Sequence, residues 1–396
     1  MRRHSGNSGS QDDVFTAAPL PVAVLDEPER IACLRLIRSG NVGPVTFREL
    51  INQFGGAQRA LDALPELTRR AGGPAHRICP KEDAERELAH ARRIGVQPLF
   101  TIEPGYPAAL AATGVPPPLL YAKGDVALLQ KPAVAIVGSR QASLAGHKLA
   151  RRFAGELGQA GFVIASGLAR GIDGAAHEAA LLTGTVAVVA GGIDVVYPPE
   201  HADLTRRITE QGCVISEMPP GFVPRAKEFP RRNRIIAGVA LGVLVVEAAR
   251  RSGTLVTARL AAELGREVFA IPGHPLDPRA EGTNQLLKSG AMFVTEPADV
   301  IAALQPMTAT DLRDYSDAAS LEPDLAAAPP EPSTGDRARV LAALGPHPSD
   351  VDEIGRAAGL SARAVRLVLV ELDLAGRIER HGHHLVSLLP ARSEPD

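Results

Sequence analysis

The residues whose types and spacing suit chemistry lie in short runs, each placed after an apolar stretch. Gly138-Ser139-Arg140 follows 133–137 and precedes a helical stretch that starts near Ser143. Ser166, Gly167, Arg170 and Gly171 belong to SGLARGIDG after 162–165, with Asp173 and His177 just beyond. Gly191-Gly192, Asp194 and Tyr197-Pro198-Pro199 follow 185–189. Arg231, Arg232, Asn233 and Arg234 form a basic loop, FPRRNR, between 213–216 and 242–246. Glu247, Arg250, Arg251, Ser252, Gly253 and Thr254 come next, at another helix start. Glycine permits close backbone approach, free amides at a helix start attract an anion, and arginine adds a two-pronged donor. Taken singly, each run is equally an ordinary βα turn. Taken together, with Arg in four of them, they describe a polyanion site. Asp173 reads as a helix N-cap and His177 as a packed or exposed helix residue, not as a catalytic pair.

Other chemistries lack their residues. No G-x-x-x-x-G-K-[ST] run is present, so P-loop hydrolysis has no support. The first loop lacks G-x-G-x-x-G, and the second strand ends in Ser166 where a dinucleotide site needs an acid for the ribose. No His/Cys/Asp group has metal-ligand spacing and no Ser-His-Asp set stands out, so no catalytic residue, cofactor or metal is expected. Cys33, Cys79 and Cys213 are odd in number and far apart, which fits a reducing cytoplasm rather than a disulfide framework. The polar N-terminus is not a secretory signal, and the most apolar run, 238–246, is too short to cross a bilayer.

The elements that must position these loops are legible as alternation. Apolar runs at 133–137, 162–165, 185–189, 213–216, 242–246 and 267–271, with an edge candidate at 292–294, are separated by helical stretches, notably 143–158, 172–182 and 254–264. This predicts an α/β fold, a doubly wound parallel sheet of extended Rossmann type, with ligands at the carboxyl ends of its strands. The chain's 396 residues exceed one ordinary core. They divide into a disordered tail (1–20), a small helical module (21–97), the sheet domain (98–305), an acidic Pro/Ala-rich linker (306–335) and a C-terminal domain (336–390). In that last domain Asp336–Ala343, Val351–Ala358 and Ser361–Leu374 read as helices and 377–388 as a β wing turning at Gly382: a winged-helix pattern. Its charges balance, which favours a protein contact or weak DNA role over strong duplex binding. His381, His383 and His384 read as a solvated wing, not a metal site.

The formal net charge of −2 argues at first against a nucleic-acid partner. Charge is segregated, however. Residues 296–336 hold nine acids and one base, whereas 221–266 hold nine bases and three acids. The basic excess sits within the sheet domain.

VAIVGSR (134–140), SGLARGIDGAAHEAAL (166–181), GGIDVVYPPEH (191–201), FPRRNRIIAG (229–238), EAARRSGTLVTA (247–258) and FAIPG (269–273) closely resemble the DNA-processing protein A family, also called Smf. YPAALAATGVPPPLLYAKGD (106–125) and GTNQLLKSGA (282–291) extend the match. The resemblance implies a non-catalytic domain that binds single-stranded DNA, protects incoming strands and loads the RecA recombinase during natural transformation, displacing single-strand-binding protein. It implies that Gly138, Ser139 and Arg140 hold phosphate and that Ser166–Gly171 and Arg231–Arg234 continue the groove. A homodimer is also implied, with Leu286, Leu287 and Phe293 as its surface, although these three read equally well as core. Some family members carry a SAM or helix-hairpin-helix module at the N-terminus, which 21–97 matches loosely around NVGPVTF. The alternative is a nucleotide-processing enzyme: GGID near 191 and Glu247 with SGTLVTA loosely resemble the lysine-decarboxylase-like phosphoribohydrolases, without their P-G-G-x-G-T-x-x-E block. Aromatics near the loops are few (Tyr197, Phe222, Phe229), so backbone-dominated, salt-sensitive binding is expected.

Overall fold

Residues 23–74, 76–317, 331–382 and 384–390 are described by a computed structural model, so the tail expected over 1–20 and His383 lie outside the described residues. The chain forms two compact units, one from 21–37 and 79–322, the other from 38–78 and 323–396. The helical module expected over 21–97 is thus divided between them.

In chain order, α1 (Glu27–Arg38), α2 (Pro44–Phe54), α3 (Ala57–Arg70) and α4 (Lys81–Arg93) precede β1 (Gln97–Phe100), α5 (Ala108–Ala111) and β2 (Leu119–Gly124). The alternating part follows: β3 (Ala133–Val137), α6 (Leu144–Gln159), β4 (Val163–Ser166), α7 (Ile172–Ala180), β5 (Thr185–Val188), α8 (Ala202–Gln211) and β6 (Cys213–Ser216). Next are α9 (Glu228–Val239), β7 (Gly242–Val245), α10 (Gly253–Glu263), β8 (Glu267–Ala270), α11 (Glu281–Lys288), β9 (Met292–Phe293) and α12 (Pro297–Asp317). The C-terminal elements are α13 (Thr334–Ala343), β10 (Ser349–Asp350), α14 (Val351–Ala358), α15 (Ala362–Leu374), β11 (Ile378–His381) and β12 (Leu385–Leu388).

The sheet of the larger unit has the order β1-β2-β6-β5-β4-β3-β7-β8-β9. The seven strands from β6 to β9 are parallel, with Ala135 opposite Ala165 on one side and Val243 on the other. All five residues of β3 are buried, because helices cover both faces. Val134, Ile136, Phe153, Leu157 and Ile164 pack on one face, and Ala135, Val137, Val186, Ile215 and Val243 on the other. Fully burying Phe153 alone contributes roughly 1.5–3 kcal/mol. Two antiparallel strands, β1 and β2, extend the β6 edge; the apolar alternation had not marked them.

Two further readings change. FPRRNR is not a loop: α9 begins at Glu228, with Pro230 in the first turn, where a missing N–H costs no helical bond. Ile235, Ile236 and Val239 then bury its far end. At the other boundary α12 runs on to Asp317, well into the stretch expected as a linker, of which 318–330 lies outside the described residues.

In the smaller unit α2 starts with Pro44 and stops at Gly55, whose φ of 69° reverses the chain. The three C-terminal helices match the expected winged-helix pattern. Ser333 and Asp336 form a capping box on α13, Asp350 and Ser361 cap α14 and α15, and Gly359 closes α14 in the left-handed region. The β10-β12-β11 sheet supplies the wing. Val340, Ile354, Val365, Leu369, Leu372 and Val386 form the core.

Candidate nucleic-acid interface

The chain moves outward from β3 through β4 and β5 to β6, then returns to the other side of β3 as β7 and continues to β8 and β9. Parallel strands send every following loop to one edge, so 138–140, 167–171, 189–198 and 247–252 gather there, as the sequence predicts. The topological switch lies between β3 and β7, where such sheets ordinarily receive a ligand.

Here that crevice is closed by the protein itself. Ser143 donates its amide to Glu247 Oε2 at 3.0 Å and its hydroxyl to Glu247 Oε1, so a carboxylate sits at the start of α6. A Cβ at Gly146 would lie 2.6 Å from the Glu247 carboxyl carbon, so any larger residue there would have to displace the carboxylate. Thr254 Oγ1 donates to the Gly138 carbonyl at 3.0 Å, and Ser252 caps α10 by accepting from Thr254 N. Gly253 is exposed beside it. Glu247, the residue that fitted the enzyme alternative, is a clamp between two loops.

The β4 loop is held as firmly. Gly171 has φ 74°, and a Cβ there would lie 2.2 Å from the Ser139 carbonyl oxygen, which accepts from Ile172 N. Ser166 is buried and donates to the Ile136 carbonyl, so its hydroxyl does not face a ligand. Asp173 is not an N-cap; Gly171 holds that position. The Asp173 carboxylate instead accepts from Gly167 N at 3.1 Å and Ala169 N at 3.3 Å. Burial pushes its pKa up, and the nearby Arg232 guanidinium opposes the shift. Arg232 is 6% exposed and donates Nη1 to the carbonyls of Gly167 and Val188. Burial lowers even this guanidinium, to about 10. His177 is fully buried; its Nδ1 lies 2.7 Å from Thr185 Oγ1, which itself donates to Ile164 O. Nδ1 therefore carries the proton, and burial pushes the imidazole pKa down to about 3.

What remains outward is a basic rim with an aromatic step. Arg140 is exposed, its guanidinium carbon 5.6 Å from the Phe229 ring centroid. Phe229 in turn meets Tyr197, with centroids 5.2 Å apart and planes tilted by 56°. These side chains, with Pro198 and Pro224, line a cavity of about 30 Å³, roughly room for a water or two and not for a nucleotide. Arg140, Arg225, Lys227, Arg250 and Arg251 are exposed, and among the described residues none of them forms an ion pair. Arg170 pairs with Glu200, and Arg231 and Arg234 share Glu217 at 2.8 and 2.6 Å. Asn233 reaches the Gly253 carbonyl at 3.4 Å. The three arginines of FPRRNR thus divide into a buried anchor and two paired surface charges, and the unpaired cations come from other segments. Arg225 and Lys227 belong to the unpaired set although no loop motif selected them; the local charge count was the signal for them.

At the β9 edge Phe293 is 59% exposed and Met292 41%, while Leu286 and Leu287 are half-buried. Among the described residues no group of three or more His, Cys, Asp or Glu could hold a metal ion, and no helix is long and apolar enough to cross a membrane. The three cysteines are buried thiols.

The chain is similar to known proteins. The family model described as DNA recombination-mediator protein A matches residues 97–305. A DprA-like N-terminal HHH domain matches 27–90 and a DprA winged helix domain 324–383. Protein Smf of Escherichia coli is 43% identical over 285 residues, covering 69% of this chain and 72% of its own. Protein Smf of Synechocystis is 31% identical over 372 residues, covering 86% and 94%. The X-ray structure of DNA processing protein A (DprA) from Streptococcus pneumoniae is 41% identical and superposes with a TM-score of 0.52, over 56% of this chain and 80% of that one. With its sheet domain matched from end to end and both flanking domains in place, the chain belongs to the DprA/Smf family.

Proposed function

We propose that this protein binds single-stranded DNA through the rim at the carboxyl edge of its sheet, without turnover, and acts as a recombination mediator. In this reading it works in the cytoplasm as a homodimer, protects incoming strands and loads RecA in place of single-strand-binding protein during natural transformation. The observation that carries it is the set of exposed, unpaired cations (Arg140, Arg225, Lys227, Arg250, Arg251) on the loops that follow the strands, together with the Arg140–Phe229 and Phe229–Tyr197 contacts. Free guanidiniums neutralise phosphates at any sequence, and an aromatic step accepts an unstacked base, which a duplex does not offer. Family membership supports the mediator role. The enzyme alternative is weakened by the tied carboxylate of Glu247 and by a cavity too small for a nucleotide.

Labelled single-stranded oligonucleotides titrated at several salt concentrations, beside a nucleoside-monophosphate hydrolysis assay, test the binding reading. Saturable binding whose logarithm falls linearly with log salt, without base release, is expected. Base release without strand affinity would overturn it. Adding the protein to strands coated with single-strand-binding protein should speed RecA filament growth, and no change would remove the loading step.

A further inference from the structure

In a winged-helix domain that reads duplex DNA, one helix presents polar and basic side chains to the major groove. In this chain the helix at that position is α15. Its inward stripe, Val365, Val368, Leu369 and Leu372, packs in the domain core. Much of its remaining surface is apolar too. Leu367, Val370 and Leu374, spaced three and four apart, form a second apolar face and are also buried. Helices α2 and α3 of the same unit cover that face. Arg363 is the exposed base left on the helix, and Arg366 lies 4.0 Å from Glu49 of α2.

The polar contacts at this junction are specific. Asn41 Nδ2 donates to the Leu374 carbonyl at 3.0 Å, and Arg377 Nη1 to the Ala71 carbonyl at 3.2 Å. Thr46, fully buried in the first turn of α2, donates its hydroxyl to Asp373, whose carboxylate also accepts from Arg380 Nε at 2.8 Å. Asp373 thus sits against the first turn of α2. Packing is close: a Cβ on Gly73 would lie 2.7 Å from the Ala375 Cβ.

We infer that α15 is a protein-docking helix rather than a groove-reading one, and that its partner is the α2–α3 segment of its own chain. The α2–α3 segment covers the surface through which α15 would meet DNA. The winged helix therefore adds no duplex affinity while this junction is closed, and strand binding is left to the larger unit.

The full-length chain tests this directly. Glu49→Cys with Arg366→Cys, a partly exposed pair lining the cleft between α2 and α15, treated with a short bifunctional thiol reagent, should cross-link within one chain, since Cys33, Cys79 and Cys213 are buried. A cross-linked dimer, or no product, would overturn the assignment. Separately, Val370→Asp or Leu50→Asp should lower amide-exchange protection by tenfold or more in 44–70 and 362–374 together. Protection in 133–137 and oligonucleotide affinity should stay unchanged. Loss in only one of the two segments, or wild-type duplex affinity that Arg363→Ala abolishes, would show a helix free to read DNA and sink the proposal.

Discussion

Arg232 Nη1 donates to the Gly167 carbonyl at 2.5 Å from a side chain almost wholly buried. Gly167 in turn gives its amide to Asp173, so one residue of the β4 loop is gripped at both its polar groups. A Cβ on Gly167 would lie 2.7 Å from Arg232 Nη1, so a side chain there would have to displace the guanidinium. The effect is to hold Ala169 and Arg170 at the sheet edge beside Arg140. Arg232 positions the rim; it does not belong to it.

Arg232→Ala should therefore act on stability first. It leaves Asp173 buried without its counter-charge and two carbonyls without their donor. A loss of roughly 3–5 kcal/mol is expected, or about 10 °C in Tm. Thermal unfolding checks this. A Tm within a degree or two of wild type would mean that the guanidinium is not an anchor.

Arg140→Ala should do the reverse. The side chain is exposed and unpaired, so Tm should hold, while strand affinity falls and the salt slope drops by about one phosphate. Phe229→Leu keeps the apolar volume and loses the aromatic face. It should cost roughly 1–3 kcal/mol of binding without changing the salt slope. Fluorescence anisotropy over a salt series separates the two. Equal slopes for wild type and Arg140→Ala would place the phosphate contacts elsewhere.

These two arginines show how far the sequence was legible. Strands buried on both faces leave unmistakable apolar runs, so β3 to β9 and the loops after them could be read directly. β1 and β2 could not: each is short, and prolines stand among or just before their residues. α9 was hidden by Pro230 and a run of charge, both of which a first helical turn accepts. The fates of Arg140, Arg231 and Arg232 differ because of where α9 lies against β4 and β5, and residue type says nothing about that. The Ser143–Glu247 clamp joins residues 104 apart in sequence, beyond any local pattern. The winged helix was legible to its caps, since Ser361 and Gly359 act within one turn; the apolar outer face of α15 stood in the same letters but needed α2 to give it meaning.

Acid should loosen the larger unit through His177. Its pKa is about 3 in the folded chain and about 6.5 when unfolded, so between those values the unfolded chain binds more protons. Its share of stability is full above pH 6.5 and drains as pH falls toward 3, by roughly 2 kcal/mol between pH 6.5 and 5. Asp173 works in the opposite sense, because its raised pKa favours the protonated folded form as pH drops. Comparing wild type with His177→Gln isolates the imidazole. The variant's Tm should depend less on pH between 6.5 and 4; parallel curves would assign the acid sensitivity to other groups.

The β9 edge offers the last prediction. Met292 and Phe293 stand exposed on the outermost strand of a sheet whose other strands are covered, and half-buried Leu286 and Leu287 lie on the preceding helix, α11. An open strand edge bearing large apolar side chains invites pairing with another copy. If the protein is a homodimer through this edge, Phe293→Glu places a charge at the centre of the interface. It should yield a folded monomer, seen by sedimentation, with Tm little changed at low concentration because Phe293 contributes little to the fold of one chain. A dimer of unchanged stability would move the interface elsewhere. Because each copy carries its own set of free cations, the monomer should also lose avidity for long strands while keeping affinity for short ones, since the second binding event is no longer intramolecular. An oligonucleotide length series on both forms would show that divergence, and equal length dependence would argue that one rim suffices for strand capture.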